Sequence, residues 1–270
     1  MNPILKSKNY KLFLISAGTY LTDAGASMAV LPKAVWSKNL TEDERYRIPM
    51  ALNCLLIQNE NTNILVDTGI GSVLTEKQIK IYNPSKSALL ENLAQLGLQR
   101  DDIHHVILTH LHFDHIGGIL FNDHELTFPN AYHHIQKLEW FSATNPDELN
   151  VSAYPFQQHL SCLSDSFKLN LLDGNTELLP GISLILAQGH SEGMQIVKIE
   201  DDNFLAYYAG DIIPSQYHVN LPVISAYDLC RKTTFKAKKR IMEELRQQEG
   251  YLILDHDSEQ SVLHFKQESI

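Results

Sequence analysis

The sequence predicts a mixed fold, α/β or α+β, in which sheets and helices pack as a sandwich. Three observations carry that prediction. Short apolar runs of strand length recur in both halves of the chain. Segments with leucine or isoleucine at helical spacing lie between them. No repeat, low-complexity tract or linker divides the chain, so residues 1–270 are expected to form one domain.

The elements follow in order. ALNCLLIQ (51–58) and NILVD (63–67), separated by a polar pentapeptide, read as strand, turn and strand. The next residues, TGIG, hold two glycines, which implies backbone bent close to another segment. NPSKSALLENLAQLGL reads as a helix capped by Ser85 or Ser87, with Leu89, Leu93 and Leu96 on one face and Gly97 at its end. IHHVILTH suits a buried strand. The aromatic, irregular stretch 120–165 predicts no element. GISLILAQ reads as a strand, MQIVKIEDDNFLAYYAGD as a hairpin, and KAKKRIMEELRQQ as a helix burying Ile241 and Leu245. GYLILDHD is a last apolar strand.

Composition bounds the function. With 44% hydrophobic and 20% charged residues, the chain is an ordinary globular protein, long enough to bury a core without disulfides. Thirty-two acids against 22 Lys plus Arg give a net charge of −10, which repels polyphosphate and argues against a nucleic-acid partner. The one basic run, RKTTFKAKKR at 231–240, reads as the solvated start of an amphipathic helix. Cys54, Cys162 and Cys230 lie far apart, which fits a reducing compartment. The early run LFLIS is too short for a signal sequence, and no stretch approaches the roughly 20 apolar residues of a membrane span. A cytoplasmic location without membrane association is expected.

The chemistry concentrates in LTHLHFDHIGG, 108–118, where His110, His112, Asp114 and His115 fall within six residues. For any one of the 13 histidines, ordinary packing is the better reading. Four potential ligands so close together point to a metal, and imidazole with carboxylate suits zinc, iron or manganese. His110, His112 and Asp114 alternate, which on an extended segment projects them to one side while Leu111 and Phe113 face into protein. Gly117 and Gly118 allow tight passage of the backbone. One loop cannot fill two coordination spheres. Three later apolar runs also end in a ligand type: SLILAQGH at His190, FLAYYAGD at Asp211 and YLILDHD at His256.

With these motifs in this order, the chain resembles the metallo-β-lactamase superfamily over nearly its whole length. ILVDTGIG, THLHFDHIGG, LAQGHSEG, YYAGD and LILDHD match its successive motifs. The resemblance implies an α+β, αββα sandwich with a metal site at one edge of the two sheets. It implies two divalent metal ions, zinc foremost with iron or manganese as alternatives. His110, His112 and His190 would hold one, Asp114, His115 and His256 the other, and Asp211 would bridge both. His115 sets the chain apart from the penicillin-destroying branch, and His112 from the flavodiiron branch. Only 14 residues follow His256, so no glutathione-binding extension of the glyoxalase II type is expected.

Two further stretches, TDAGASMAVLPKAVWSK (22–38) and AGDIIPSQYHVNLPVISAYDL (209–229), resemble the branch of N-acyl-homoserine lactonases and methyl parathion hydrolase, in which dimers are common. Ala24 departs from that branch's pattern. Pro214 stands where well-studied lactonases place a substrate-binding Tyr. Met28, Trp36, Tyr217 and His218 are therefore the candidate substrate-binding residues, with ordinary packing as the alternative for each. The expected activity is hydrolysis of a lactone, ester or phosphoester by a hydroxide shared between two metals. Asp114 would hand a proton to the leaving alkoxide, and Asp67 would orient a ligand histidine. An N-acyl-homoserine-lactone-like substrate leads, followed by organophosphate triesters. An iron-dependent persulfide dioxygenase-like enzyme is the alternative from another class.

Overall fold

The computed structural model describes residues 1–71, 74–122, 125–154 and 157–266, apart from the side chains of 157 and 158. β1 (Leu5–Lys6) and β2 (Lys11–Asp23) precede two short helices, α1 (Ala24–Met28) and α2 (Lys33–Trp36). β3 (Arg47–Gln58) and β4 (Asn63–Val66) form the antiparallel pair expected from 51–67. α3 (Glu76–Tyr82) and α4 (Leu89–Ala94) cross over to β5 (His105–Ile107), which pairs parallel with β4. After α5 (Phe113–Ile116) and the hairpin β6 (Leu120–Phe121) with β7 (Glu125–Leu126), the chain adds β8 (Tyr132–Gln136), α6 (Lys137–Thr144), α7 (Gln157–Asp165) and β9 (Leu169–Leu172). β1-β2-β3-β4-β5-β8-β9 is the order of this first sheet.

The second sheet runs β10 (Thr176–Leu179), β11 (Ile182–Leu186), β12 (Gln195–Asp201), β13 (Phe204–Tyr208), β14 (Tyr251–Ile253) and β15 (Val262–His264) in spatial order. α8 (Arg231–Gln247) is the crossover that lets β14 pair parallel with β13. No described helix is long and apolar enough to cross a membrane.

Strand alternation builds the layers. Leu12, Leu55, Ile64 and Ile107 of the first sheet meet Leu184, Val197, Ala206 and Ile253 of the second in one buried cluster. Their immediate neighbours Phe13, Leu56, Leu65 and Val106 point the other way, onto Leu89 and Leu93 of α4. Ile196, Leu205, Tyr207 and Leu252 likewise point outward, onto Ile241, Met242 and Leu245 of α8. A period of two on each strand thus makes both faces of both sheets apolar, and helices cover the outer ones. The result is the αββα sandwich.

Two local expectations need correction. α4 begins after Ala88 without a side-chain cap, so neither Ser85 nor Ser87 serves it. The register of β2 shifts between Ser16 and Thr19, and Ser85 Oγ accepts from the Thr19 N–H there at 2.8 Å. The glycine pairs do behave as read. Gly71, at φ +65°, lies so close to the Gly117 carbonyl that a Cβ would sit 2.1 Å from its oxygen.

Candidate metal centre

The registers Val66↔Ile107 and Tyr208↔Ile253 bring four strand ends to one edge of the sandwich. His110 follows β5, Asp211 follows β13 and His256 follows β14, while His190 lies on the loop after β11. The edge is stitched across the sheets. The Asn53 N–H donates to the Asp255 carbonyl at 2.9 Å, the Ala51 N–H to the His256 carbonyl at 3.2 Å and the Gln195 N–H to the Thr109 carbonyl at 2.8 Å. Backbone bonds between sheets therefore position the side chains that follow.

Two groups of donor atoms result. His110, His112 and His190 form one, and His115, Asp211, Asp255 and His256 the other, each with its donors within 4.8 Å of one another. Asp211 spans both. Its Oδ2 lies 3.1 Å from His190 Nε2 and 4.0 Å from His110 Nε2, and its Oδ1 lies 3.1 Å from His256 Nε2 and 3.5 Å from His115 Nε2. Asp114 Oδ2 is 3.6 Å from His256 Nε2 and 3.8 Å from His115 Nε2. All seven residues read as ligands from the sequence are thus gathered here. Asp255 is an eighth donor that the sequence reading passed over.

The local backbone differs from the extended segment expected. His110 and Leu111 precede the helix, and His112, extended at φ −69° and ψ 154°, is the N-cap of α5, which carries Asp114 and His115. Leu111 is buried as expected, but the helical turn swings Phe113 onto the wall of a cavity rather than into the core.

A cation fits the donor set. His110 Nε2, Asp211 Oδ1 and Asp255 Oδ2 are buried without a hydrogen-bond partner, which is costly unless an ion completes them. Asp211 Oδ1 is close to two imidazole nitrogens without hydrogen-bond geometry, as expected for atoms facing a common point. Burial, reinforced by neighbouring imidazoles, holds His110 well below the usual range. Burial and the charge on His190 push His112 down to about 3. Both are therefore neutral, the state that ligates. Burial also presses on His190 and His256, but nearby carboxylates outweigh it and raise them to about 9 and about 10. His115 is raised well above its ordinary value by Asp114, Asp67 and Asp211 against the same burial.

Four of the five imidazoles have a partner on the far nitrogen, that of His110 being Thr109 Oγ1 at 3.1 Å. Asp67, read as a candidate for this role, lies with Oδ2 3.0 Å from His115 Nδ1 and also accepts from the Thr109 N–H and hydroxyl. His256 Nδ1 donates to the Ala51 carbonyl at 2.7 Å. Asp228, which no sequence signal singled out, sits 3.0 Å from His190 Nδ1. Glu139 is fully buried and accepts from the Leu111 N–H, the Ser191 hydroxyl, the Gly193 N–H and the Tyr154 hydroxyl. It fastens the His110–His112 segment to the His190 loop.

A cavity of about 470 Å³ opens on the cluster at His112, Asp114, His190 and Asp211. Tyr20, Tyr82, Phe113 and Tyr227 give it an aromatic wall, and no Lys or Arg lines it among the described residues. The Tyr20 hydroxyl donates to Asp114 Oδ2 at 2.7 Å.

The four residues expected to bind substrate lie elsewhere. Trp36 is packed into the core. Both ring nitrogens of His218 are engaged, with Ser215 Oγ at 2.8 Å and the Ser27 carbonyl at 3.0 Å, and burial pushes it down to about 4. Met28 is buried, and with Tyr217 it lines a separate cavity of only about 20 Å³. Met28 and Trp36 are the buried residues of 28–36, whereas Val30 and Val35 are exposed, and the wall is left to Tyr20, Tyr82 and Tyr227 from other elements.

Comparison with known proteins agrees with this fold. The family model of the metallo-beta-lactamase superfamily matches residues 47–260. The N-acyl homoserine lactonase AiiA of Bacillus thuringiensis subsp. kurstaki is 24% identical over 264 residues, spanning 93% of this chain and 94% of its own. A probable metal-dependent hydrolase from Staphylococcus aureus superposes with a TM-score of 0.93 at 30% identity, covering 98% of this chain and 95% of that one. AidC, a dizinc quorum-quenching lactonase in complex with a homoserine product, superposes with a TM-score of 0.80 at 24% identity, over 98% of this chain and 93% of its own.

Proposed function

The chain belongs to the metallo-beta-lactamase superfamily, and from that premise we propose that it hydrolyses a neutral lactone or ester with the help of two divalent cations. His110, His112 and His190 would hold one cation, Asp114, His115 and His256 the other, and Asp211 would serve both. The observation that carries this reading is the division of the Asp211 oxygens between two groups of imidazoles at the floor of a cavity. Divalent cations, zinc foremost, supply Lewis acidity there, acidifying water and polarising a carbonyl or phosphoryl oxygen.

The side chains do the rest. Asp114 stands at the cavity floor and takes the proton that the attacking water gives up. It returns that proton to the oxygen that leaves when the ester bond breaks. The Tyr20 hydroxyl bonds one Asp114 oxygen and so sets the direction of the carboxylate. Tyr82 and Phe113, with ring centroids 4.6 Å apart, offer an apolar surface that binds the organic part of the substrate and excludes water. No Lys or Arg among the described residues lines the cavity, so its side chains offer an anionic group no partner beyond the metals themselves. An N-acyl-homoserine-lactone-like substrate suits that wall, and the similarity of the chain to lactonases supports the reading.

The test is hydrolysis by the zinc-loaded protein of an N-acyl homoserine lactone beside a neutral aryl phosphotriester. Lactone opening is expected to dominate. Triester turnover alone would move the assignment to organophosphate hydrolysis. Activity on neither, or one bound iron in place of two zinc ions, would overturn it.

A further inference from the structure

Asp255 precedes His256 on the turn after β14 and is 2% exposed. Its two oxygens are used differently. Oδ1 accepts from the His256 backbone N–H at 3.0 Å, which is a local structural bond. Oδ2 is buried and has no hydrogen-bond partner. It lies 3.7 Å from His256 Nε2 and belongs to the group with His115 and Asp211.

That oxygen needs an explanation. A buried carboxylate with an unpaired oxygen is unfavourable unless a cation meets it. Neighbouring donor atoms sharing an ion at about 2.0–2.2 Å, at about 90–120° to one another, stand roughly 2.8–3.8 Å apart. Around His256 Nε2, the Asp211, His115, Asp114 and Asp255 donors lie at 3.1, 3.3, 3.6 and 3.7 Å. The Asp255 oxygen stands among ligand separations, and on the same nitrogen as the others.

We propose that Asp255 is a direct ligand of the cation held by His115, Asp211 and His256. The inference rests on the two-cation reading above. It gives that cation three carboxylates and two imidazoles, while the other has three imidazoles and the shared Asp211. By ligand hardness, the carboxylate-rich position accepts manganese more readily than the three-histidine position does.

Asp255→Asn separates the two oxygens' roles, because an amide keeps the acceptor for the His256 N–H while losing the anionic donor. Zinc and manganese are titrated into metal-free wild type and D255N against a chelator. Wild type is expected to bind two equivalents. D255N should bind the first with unchanged affinity, which also reports an intact fold, and the second more than about 100-fold more weakly. That exceeds the roughly 10–100-fold loss typical of an outer partner. The weakening should be larger for manganese than for zinc. A second equivalent that weakens by no more than that outer-partner range overturns the assignment. If wild type itself binds only one equivalent, the two-cation reading fails and this one with it. Cobalt at saturation gives an independent readout: the visible absorption should strengthen in D255N as the coordination number falls, and an unchanged spectrum overturns the proposal. Should D255N not fold, Asp255→Ser, which also keeps an acceptor for the His256 N–H, is measured in the same way.

Discussion

The two halves of the centre are held by different parts of the molecule. The partners of the three-histidine half sit on loops and a helix: Asp228 on the loop before α8, and Glu139 on α6. The carboxylate-rich half leans on the first sheet itself, through Asp67 at the end of β4 and the Ala51 carbonyl inside β3. Asp228 stands between Tyr227 and Leu229, which line the cavity, so the first half shares a segment with the substrate wall. The second half shares its supports with the inter-sheet core. Substrate preference and metal affinity are thus coupled on one side of the centre, while fold stability and metal affinity are coupled on the other.

Removing what the halves have in common has the largest expected effect. Asp211→Ala should lose both cations and lower hydrolysis below about a thousandth of wild type, since several kcal/mol of charge stabilisation go with them. Metal analysis of the purified variant checks this. Retention of one tight equivalent would show that the halves do not depend on a shared carboxylate.

Asp67→Asn tests the dependence on the sheet. This buried carboxylate accepts from the Thr109 N–H and hydroxyl and from the Tyr208 hydroxyl, and faces His115. Breaking a buried pair of this kind costs about 3–5 kcal/mol. Denaturant unfolding of the chelated protein should register that loss, together with a weakened second equivalent. Asp228→Asn tests the loop-borne support. It should weaken the first equivalent roughly 10–100-fold and leave the second unchanged. Its loss on unfolding should be smaller than that of D67N, because Asp228 has one partner where Asp67 has several. Equal effects of the two variants on both equivalents would erase the distinction between the halves.

The same contrast explains what could be read in the sequence. The seven residues gathered at the centre announce themselves locally, as a dense histidine and aspartate cluster or as a ligand type ending an apolar run. The layers were equally legible, because strand alternation and the spacing of Leu89, Leu93, Ile241 and Leu245 are local signals too. Glu139, Asp228 and Asp255 are single acids in ordinary contexts. Their significance arises only when the fold brings them against groups far away in the chain, or, for Asp255, against an ion site next door. The cavity wall was hidden for a related reason. Tyr20 and Thr22 belong to β2, whose alternation is interrupted at the register shift between Ser16 and Thr19. Leu149 to Ala153 lie in the aperiodic middle of the chain. Met28 and Trp36 looked like wall residues because an apolar, aromatic segment has the same composition whether it lines a pocket or fills a core.

The smallest expected effect is a difference in pH dependence between the halves. In the metal-free protein His110 and His112 are already neutral, and only His190, raised to about 9, must give up a proton for the first half to load. Loading the second half must displace protons from both His115, raised well above its ordinary value, and His256, raised to about 10, and below about pH 8 from Asp255 as well, which burial raises to about 8. Affinity therefore rises with pH between about 6.5 and 9, by about tenfold per unit for one proton and about a hundredfold for two. The slopes should differ by at least about tenfold per pH unit, which chelator competition at pH 7 and pH 8 measures. The metal-free fold must respond in the opposite sense. Groups whose folded pKa is raised contribute stability that is complete below about 6.5 and is lost as the pH rises through about 9 to 10. Chelated protein should thus become easier to unfold over that window, while loaded protein should not, because the cation has already replaced the protons. Parallel slopes for the two equivalents would mean that the carboxylates bias both halves alike.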